Sequence, residues 1–202
     1  MSSIAINPYI TTNPGGLFDV DTNGFTQGIS WDNPSAYMYL EGGIFNPSST
    51  VPLIGGIPIV ENVATENNNG RGPTIDIATT NASITGFSTF DRNYAAPQVP
   101  GSGIPLVYQG GSAMFYRFNP GHGVRIGVQV SSALASALGG GSSIQQVSWN
   151  FTTGMLDVYN STTGALPVKI VSGVNSNSKI VYYDSTTQTY SWSTGTAVMI
   201  EL

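Results

Sequence analysis

The chain has no cysteine, a single histidine and only six Lys plus Arg among its 202 residues. Each shortage removes a class of function. Without thiols there is no disulfide framework, no thiolate-bound zinc and no cysteine nucleophile. The six bases are Arg71, Arg92, Arg117, Arg125, Lys169 and Lys179; none adjoins another, and the formal net charge is −5. Phosphate binding needs clustered cations, so no nucleic-acid partner is expected. All charged residues together make up 8 %, about a third of the share in an ordinary soluble domain. No run approaches the roughly 18 apolar residues of a membrane helix. The opening stretch MSSIAINPYITTNPGG lacks the basic and continuous apolar regions of an export signal. Synthesis in a reducing cytoplasm, with no membrane partner, is the expectation.

What fills the composition is polar but uncharged: 25 Gly, 23 Ser, 20 Thr and 16 Asn. Hydrophobic residues still reach 40 % and are spread along the whole length, enough to bury a core and to exclude disorder driven by low hydrophobicity. The charges are unevenly placed. Residues 1–70 hold six acids and no base, and residues 71–202 hold five acids and six bases. This is either chance in a charge-poor chain or an acidic segment that docks on a more basic neighbour.

The pattern along the chain is that of an all-β protein. Residues 1–35, punctuated by NPYITTNPGG and WDNPS, read as an irregular arm. SAYMYLEGGIF (35–45) and VPLIGGIPIV (51–60) suit short strands, the latter with a hairpin signal at Gly55-Gly56. IPLVY (104–108) and SAMFYRF (112–118) flank a second such signal, Gln109-Gly110-Gly111. VRIGVQV (124–130) alternates Val124, Ile126, Val128 and Val130 at period two, a half-buried strand. SSALASALGGG (131–141) predicts the one helix, opened by a capping Ser and stopped by Gly139. The last sixty residues read as a meander whose turns include two Thr-Thr-Gly sequences ten residues apart. The expected organisation is an N-terminal arm and small β region over 1–85, then an antiparallel barrel or sandwich over 86–202.

Catalytic constellations are missing. His122, in the turn sequence NPGHG, is the sole imidazole, and no G-x-S-x-G elbow accompanies it. Asp19 and Asp21 are the only acids two residues apart, which does not give the gap across a sugar that a carboxylate pair needs. GSGIPL (101–106) and GHGVRI (121–126) lack the third glycine of a dinucleotide loop. DVDTNGFTQGIS (19–30) matches the first half of a calcium loop through Asp19, Asp21, Asn23 and Gly24, but Ser30 stands where the bidentate Glu belongs. An Asx turn running into an Asn-Gly turn accounts for the same residues. Asn81, Asn150 and Asn160 head N-x-S/T sequons that have no role without export. Trp31, Trp149, Trp192 and ten Tyr suit core or interface positions, with a sugar-binding face as the alternative. No enzyme, cofactor or metal is expected.

The segment LPVKIVSGVNSNSKIVYYDSTTQTYSWSTGTAVMIEL resembles the closing strands of capsid cement (decoration) proteins of tailed bacteriophages, which end in a hairpin and a final apolar strand. Asp184, Trp192 and Val198–Leu202 stand at the matching places, and GFSTFDRNYAA…IPLVYQGGSAMFYRF is similar to their barrel. The likeness covers residues 86–202. It implies a structural protein on the capsid exterior, made in the host cytoplasm, homotrimeric, and bound to the major capsid protein. Tyr9, Ile10, Phe18 and Trp31 would be the apolar anchors of the arm, able to add strands to a neighbour. Deleting residues 1–30 is then expected to weaken capsid binding and leave the barrel folded. Two other readings stay open: a tail or fibre subunit, or a carbohydrate-binding β module.

Overall fold

The computed structural model describes residues 24–30, 38–64, 72–90, 104–118, 123–140, 146–184 and 186–202. They form an all-β protein with one short helix. The strands are β1 (Glu41–Phe45), β2 (Pro58–Asn62), β3 (Thr74–Ile77), β4 (Gly86–Ser88), β5 (Ser112–Arg117), β6 (Arg125–Gln129), β7 (Val147–Asn150), β8 (Met155–Val158), β9 (Lys169–Ile170), β10 (Asn175–Asp184) and β11 (Thr189–Glu201). The helix α1 (Ser132–Gly139) sits where the sequence predicts it. The Ser131 hydroxyl caps it by accepting the Leu134 N–H at 3.1 Å.

The first five strands close a small barrel in the order β1-β3-β2-β4-β5. It spans residues 41–117, earlier in the chain than the expected 86–202, and one of its pairings, β1 with β3, is parallel. The reason lies in the side-chain alternation. Ala113 and Phe115 of β5 point into an apolar interior that Phe45, Leu53, Ile59 and Ile75 complete, and those four come from residues before 85. Each such aromatic or branched side chain contributes about 1.5–3 kcal/mol when buried. Neither glycine hairpin forms as expected. Leu53 and Val107, next to the two glycine turns, bridge each other instead.

The next residue of β5, Tyr116, points the opposite way, as strand geometry requires. With Ala78, Ile84 and Phe87 it forms the barrel's outer contribution to a second, larger core. There the alternating Ile126 and Val128 of β6 meet Val198 and Ile200 of β11, Leu134 of α1, and Val147, Trp149 and Leu156 of the β7–β8 ribbon. Phe87 packs edge-on against Trp149, with centroids 5.5 Å apart. Trp149 is therefore a core residue. β11 is a single strand of 13 residues. Its first part pairs with β10, and its last residues pair with β6 and β9. The C-terminal strands are thus a sheet ordered β10-β11-β6 plus a separate ribbon, not a simple meander.

Residues 24–30 belong to the folded body. Gln27 N–H donates to the Lys179 carbonyl on β10 and Lys179 N–H donates to the Phe25 carbonyl, while Gly28 N–H donates to the Gly127 carbonyl on β6. The segment thereby joins the two outer strands of the β10-β11-β6 sheet. Within the arm expected over 1–35, residues 24–30 form no strand of their own but make isolated bridges, Thr26 with Lys179 and Ser30 with Ile126, and their amides complete edges that would otherwise be unpaired. Tyr9, Ile10, Phe18, Asp19, Asp21, Trp31 and His122 lie outside the described residues.

Candidate interaction surface

Among the described residues the β10–β11 hairpin carries the longest ladder, from Asn175 opposite Ala197 to Asp184 opposite Thr189. Directly opposed residues share a face, so Tyr183 and Tyr190 lie together, as do Val181 and Trp192. The Tyr183 and Tyr190 rings are 4.8 Å apart at 38°. Burial and then the neighbouring Tyr183 phenol push the Tyr190 phenol above its ordinary pKa. Trp192 meets Phe90 edge-on at 5.7 Å, and the Lys179 ammonium sits 5.2 Å from the Trp192 ring centroid. This row roots in a third small core of Phe90, Ile104, Leu106 and Val181. It runs outward to Tyr183, which is 46 % exposed. Tyr182, on the opposite face, is 55 % exposed. Between Lys179 and Glu201 the only charged residue is Asp184.

The hairpin tip is held by that carboxylate. Asp184 accepts the Thr186 N–H at 2.8 Å and the Thr187 hydroxyl at 2.9 Å. The Thr186 amide first, and the Thr187 hydroxyl next, hold its carboxyl below the ordinary range. Gln188 closes the turn with φ 54, the left-handed region that L side chains rarely adopt.

The charges of the barrel are satisfied within the chain. Arg117 on β5 forms a bidentate pair with Glu61 on β2, at 2.7 and 2.6 Å, and reaches Glu41 on β1 at 3.0 Å. Two of the six acids of residues 1–70 therefore face their own Arg117. The Glu61 hydrogen bond is the main cause that raises the Arg117 pKa. On the sheet, Arg125 lies 3.6 Å from Glu201, its register partner.

On the ribbon, the Asp157 carboxylate accepts three hydrogen bonds. Its Oδ1 accepts the Ser131 hydroxyl at 2.6 Å and the Val158 N–H at 2.8 Å, and its Oδ2 accepts the Asn150 carboxamide at 3.3 Å. The Ser131 bond leads the causes that hold this carboxyl below its ordinary pKa. Among the described residues no group of three or more His, Asp or Glu is placed to hold a metal ion. No helix among them is long and apolar enough to cross a membrane.

Two buried polar residues that sequence reasoning did not single out organise these surfaces. Gln27 ties the barrel to β10. Asn81 accepts the Trp149 N–H at 3.0 Å and donates toward the Gly164 carbonyl at 3.4 Å, tying the barrel to the ribbon. A lone Gln or Asn carries no periodic signal, and Asn81 stood out only as the head of a sequon. No family model matches the sequence, and no curated protein or solved structure matches it.

Proposed function

We propose that this chain is a structural virion protein that binds and stabilises an assembled phage capsid through protein–protein contacts, as a homotrimer on the capsid exterior. The observation that carries the reading is the β10–β11 hairpin, with Tyr182 on one face, Tyr183 and Tyr190 on the other, and Asp184 at its tip as the only charge between Lys179 and Glu201. Tyrosine offers large contact area with few torsions to freeze. The centre of a protein interface is depleted of charge, because a charge stranded there must be desolvated. Having aromatics on both faces lets one hairpin meet the major capsid protein and a neighbouring copy at once. The polar residues around it, chiefly Ser and Thr, supply hydrogen bonds without that penalty.

Co-sedimentation of the purified chain with capsids lacking it tests the reading. Saturable binding at a fixed ratio to the major capsid protein, and a trimer mass by light scattering, are the expected results. A chain that stays in the supernatant at every capsid concentration overturns the assignment.

A further inference from the structure

The sequence contains one five-residue pattern twice, Asn150-Phe-Thr-Thr-Gly and Asn160-Ser-Thr-Thr-Gly, and both copies fold the same way. In each, the Asn Oδ1 accepts the N–H two residues on, at 3.0 Å from Thr152 and 2.9 Å from Thr162. In each, the glycine N–H returns to the Asn carbonyl, at 2.8 and 3.0 Å. Both glycines take the left-handed conformation that this closure needs, with φ 68 and 83. One turn joins β7 to β8 and the other follows β8, so together they wall a cleft over the β8 residue between them, Asp157.

The cleft measures about 310 Å³ and is lined by Asn150, Phe151, Thr152, Asp157, Asn160 and Thr163 among others. That volume lies at the small end of the roughly 300–1,000 Å³ of small-molecule sites. Its polar groups are not all used up by the fold. Asp157 Oδ1 already has two donors, but Oδ2 receives only the long bond from Asn150. Asn160 and Thr152 are both exposed, and no bond within the described residues uses the Asn160 side-chain NH₂ or the Thr152 hydroxyl, which face solvent. The cleft therefore presents a carboxylate acceptor, a carboxamide donor and a hydroxyl, beside the half-buried Phe151 ring.

This inventory selects a ligand class by elimination. Among the described residues no cation lines the cleft, so an anion would meet there only the repulsion of Asp157. One carboxylate is too few for a calcium ion, which takes six to eight oxygens. An apolar ligand would leave Asp157 Oδ2 and the Asn160 amide unpaired. A neutral polyhydroxylated ring satisfies all of them: one hydroxyl donates to the carboxylate, a neighbour accepts from the carboxamide, and the C–H face packs on Phe151. We propose that the cleft between the twin turns is a saccharide-binding site, with Asp157 and Asn160 as its polar contacts and Phe151 as its apolar wall. The proposal is independent of capsid binding, since it uses neither the β10–β11 hairpin nor a partner chain.

The test is a titration of the ¹⁵N-labelled full chain with glucose, galactose, mannose and N-acetylglucosamine, read by chemical-shift change and by saturation transfer to the sugar. At least one sugar should move the Asn160 side-chain amide and the Thr152 backbone amide. Asp157→Asn should weaken that response by about tenfold or more. Because Asp157 also supports the helix cap, Thr152→Trp serves as the second variant. It blocks the cleft from an exposed turn position, leaves the Asp157 bonds in place, and should abolish the response with the rest of the spectrum retained. The proposal is overturned if none of the four sugars moves these resonances, if both variants bind as well as the wild type, or if the shifts fall on Tyr183 and Tyr190 instead.

Discussion

Gln27 accepts the Val181 N–H at 3.0 Å through its side-chain oxygen and donates to the Gly55 carbonyl at 3.1 Å through its side-chain nitrogen. With a residual exposure of 2 %, it is a buried amide that links the barrel to β10 across a sequence separation of 154 residues. Truncation to Ala removes both bonds and strands an amide and a carbonyl in a dry interior. Gln27→Ala should lower unfolding stability by about 2–4 kcal/mol, measured by denaturant titration. A loss below about 0.5 kcal/mol would mean the two halves do not depend on this residue.

Its neighbour sets the backbone approach. Gly28 has φ 73, and a Cβ there would overlap the Gly55 backbone. Gly28→Ala should cost about 3 kcal/mol or more, since neither backbone can move aside. Gly154→Ala is the control. That position also has positive φ but open space around it, so only the conformational part, about 1 kcal/mol, should appear.

Truncation of the arm separates folding from binding. Removing residues 1–30 would delete the whole segment that joins β10 to β6, including Gln27, so this variant should be destabilised throughout rather than keep an intact barrel. Removing residues 1–23 leaves every hydrogen bond of Phe25, Gln27 and Gly28 described above in place. Calorimetry should show a clearly lower Tm for the first truncation than for the second. Equal Tm values would show that the segment is dispensable.

Asp157 gives the fold an acid-sensitive element. Its folded pKa lies below the ordinary 3.8, so its contribution is present above that value and is lost as pH falls through the lower folded value. Ser131→Ala removes both the leading cause of that depression and the cap of α1. It should cost about 1 kcal/mol at neutral pH, and its stability should fall less steeply below about pH 4 than that of the wild type. Parallel acid limbs in the two proteins would contradict the link.

At the hairpin tip, Gln188 holds a left-handed conformation without a glycine. Relief of that strain exceeds the entropy a glycine adds to the unfolded chain, so Gln188→Gly should be stabilising by a few tenths to about 1 kcal/mol. A loss of stability would show that the Gln188 side chain makes up for its backbone.

Much of this was legible in the sequence because it is local. The period-two run at 124–130, the capping Ser131, the Thr-Thr-Gly turn of the ribbon and the β10–β11 hairpin all declare themselves within a dozen residues. What was not legible is long-range. Parallel pairing of β1 with β3, and the bridge from Leu53 to Val107, leave no local mark. A glycine pair looks the same whether the flanking strands pair with each other or with distant partners, so the closure of a barrel by β1 to β5 leaves no mark at its turns. The cleft was half visible. The Thr-Thr-Gly repeat could be read from the sequence, but only the fold brings Asn150, Asp157 and Asn160 around one space.

The most direct test of the central claim is a cryo-electron microscopy map of the particle that carries this protein. The account predicts density for this fold on the capsid exterior, in three copies around a local threefold, with Tyr182 and Tyr183 of the β10–β11 hairpin buried against the major capsid protein or a neighbouring copy. A map that places the chain elsewhere, or that leaves the hairpin free in solvent on every copy, would contradict it.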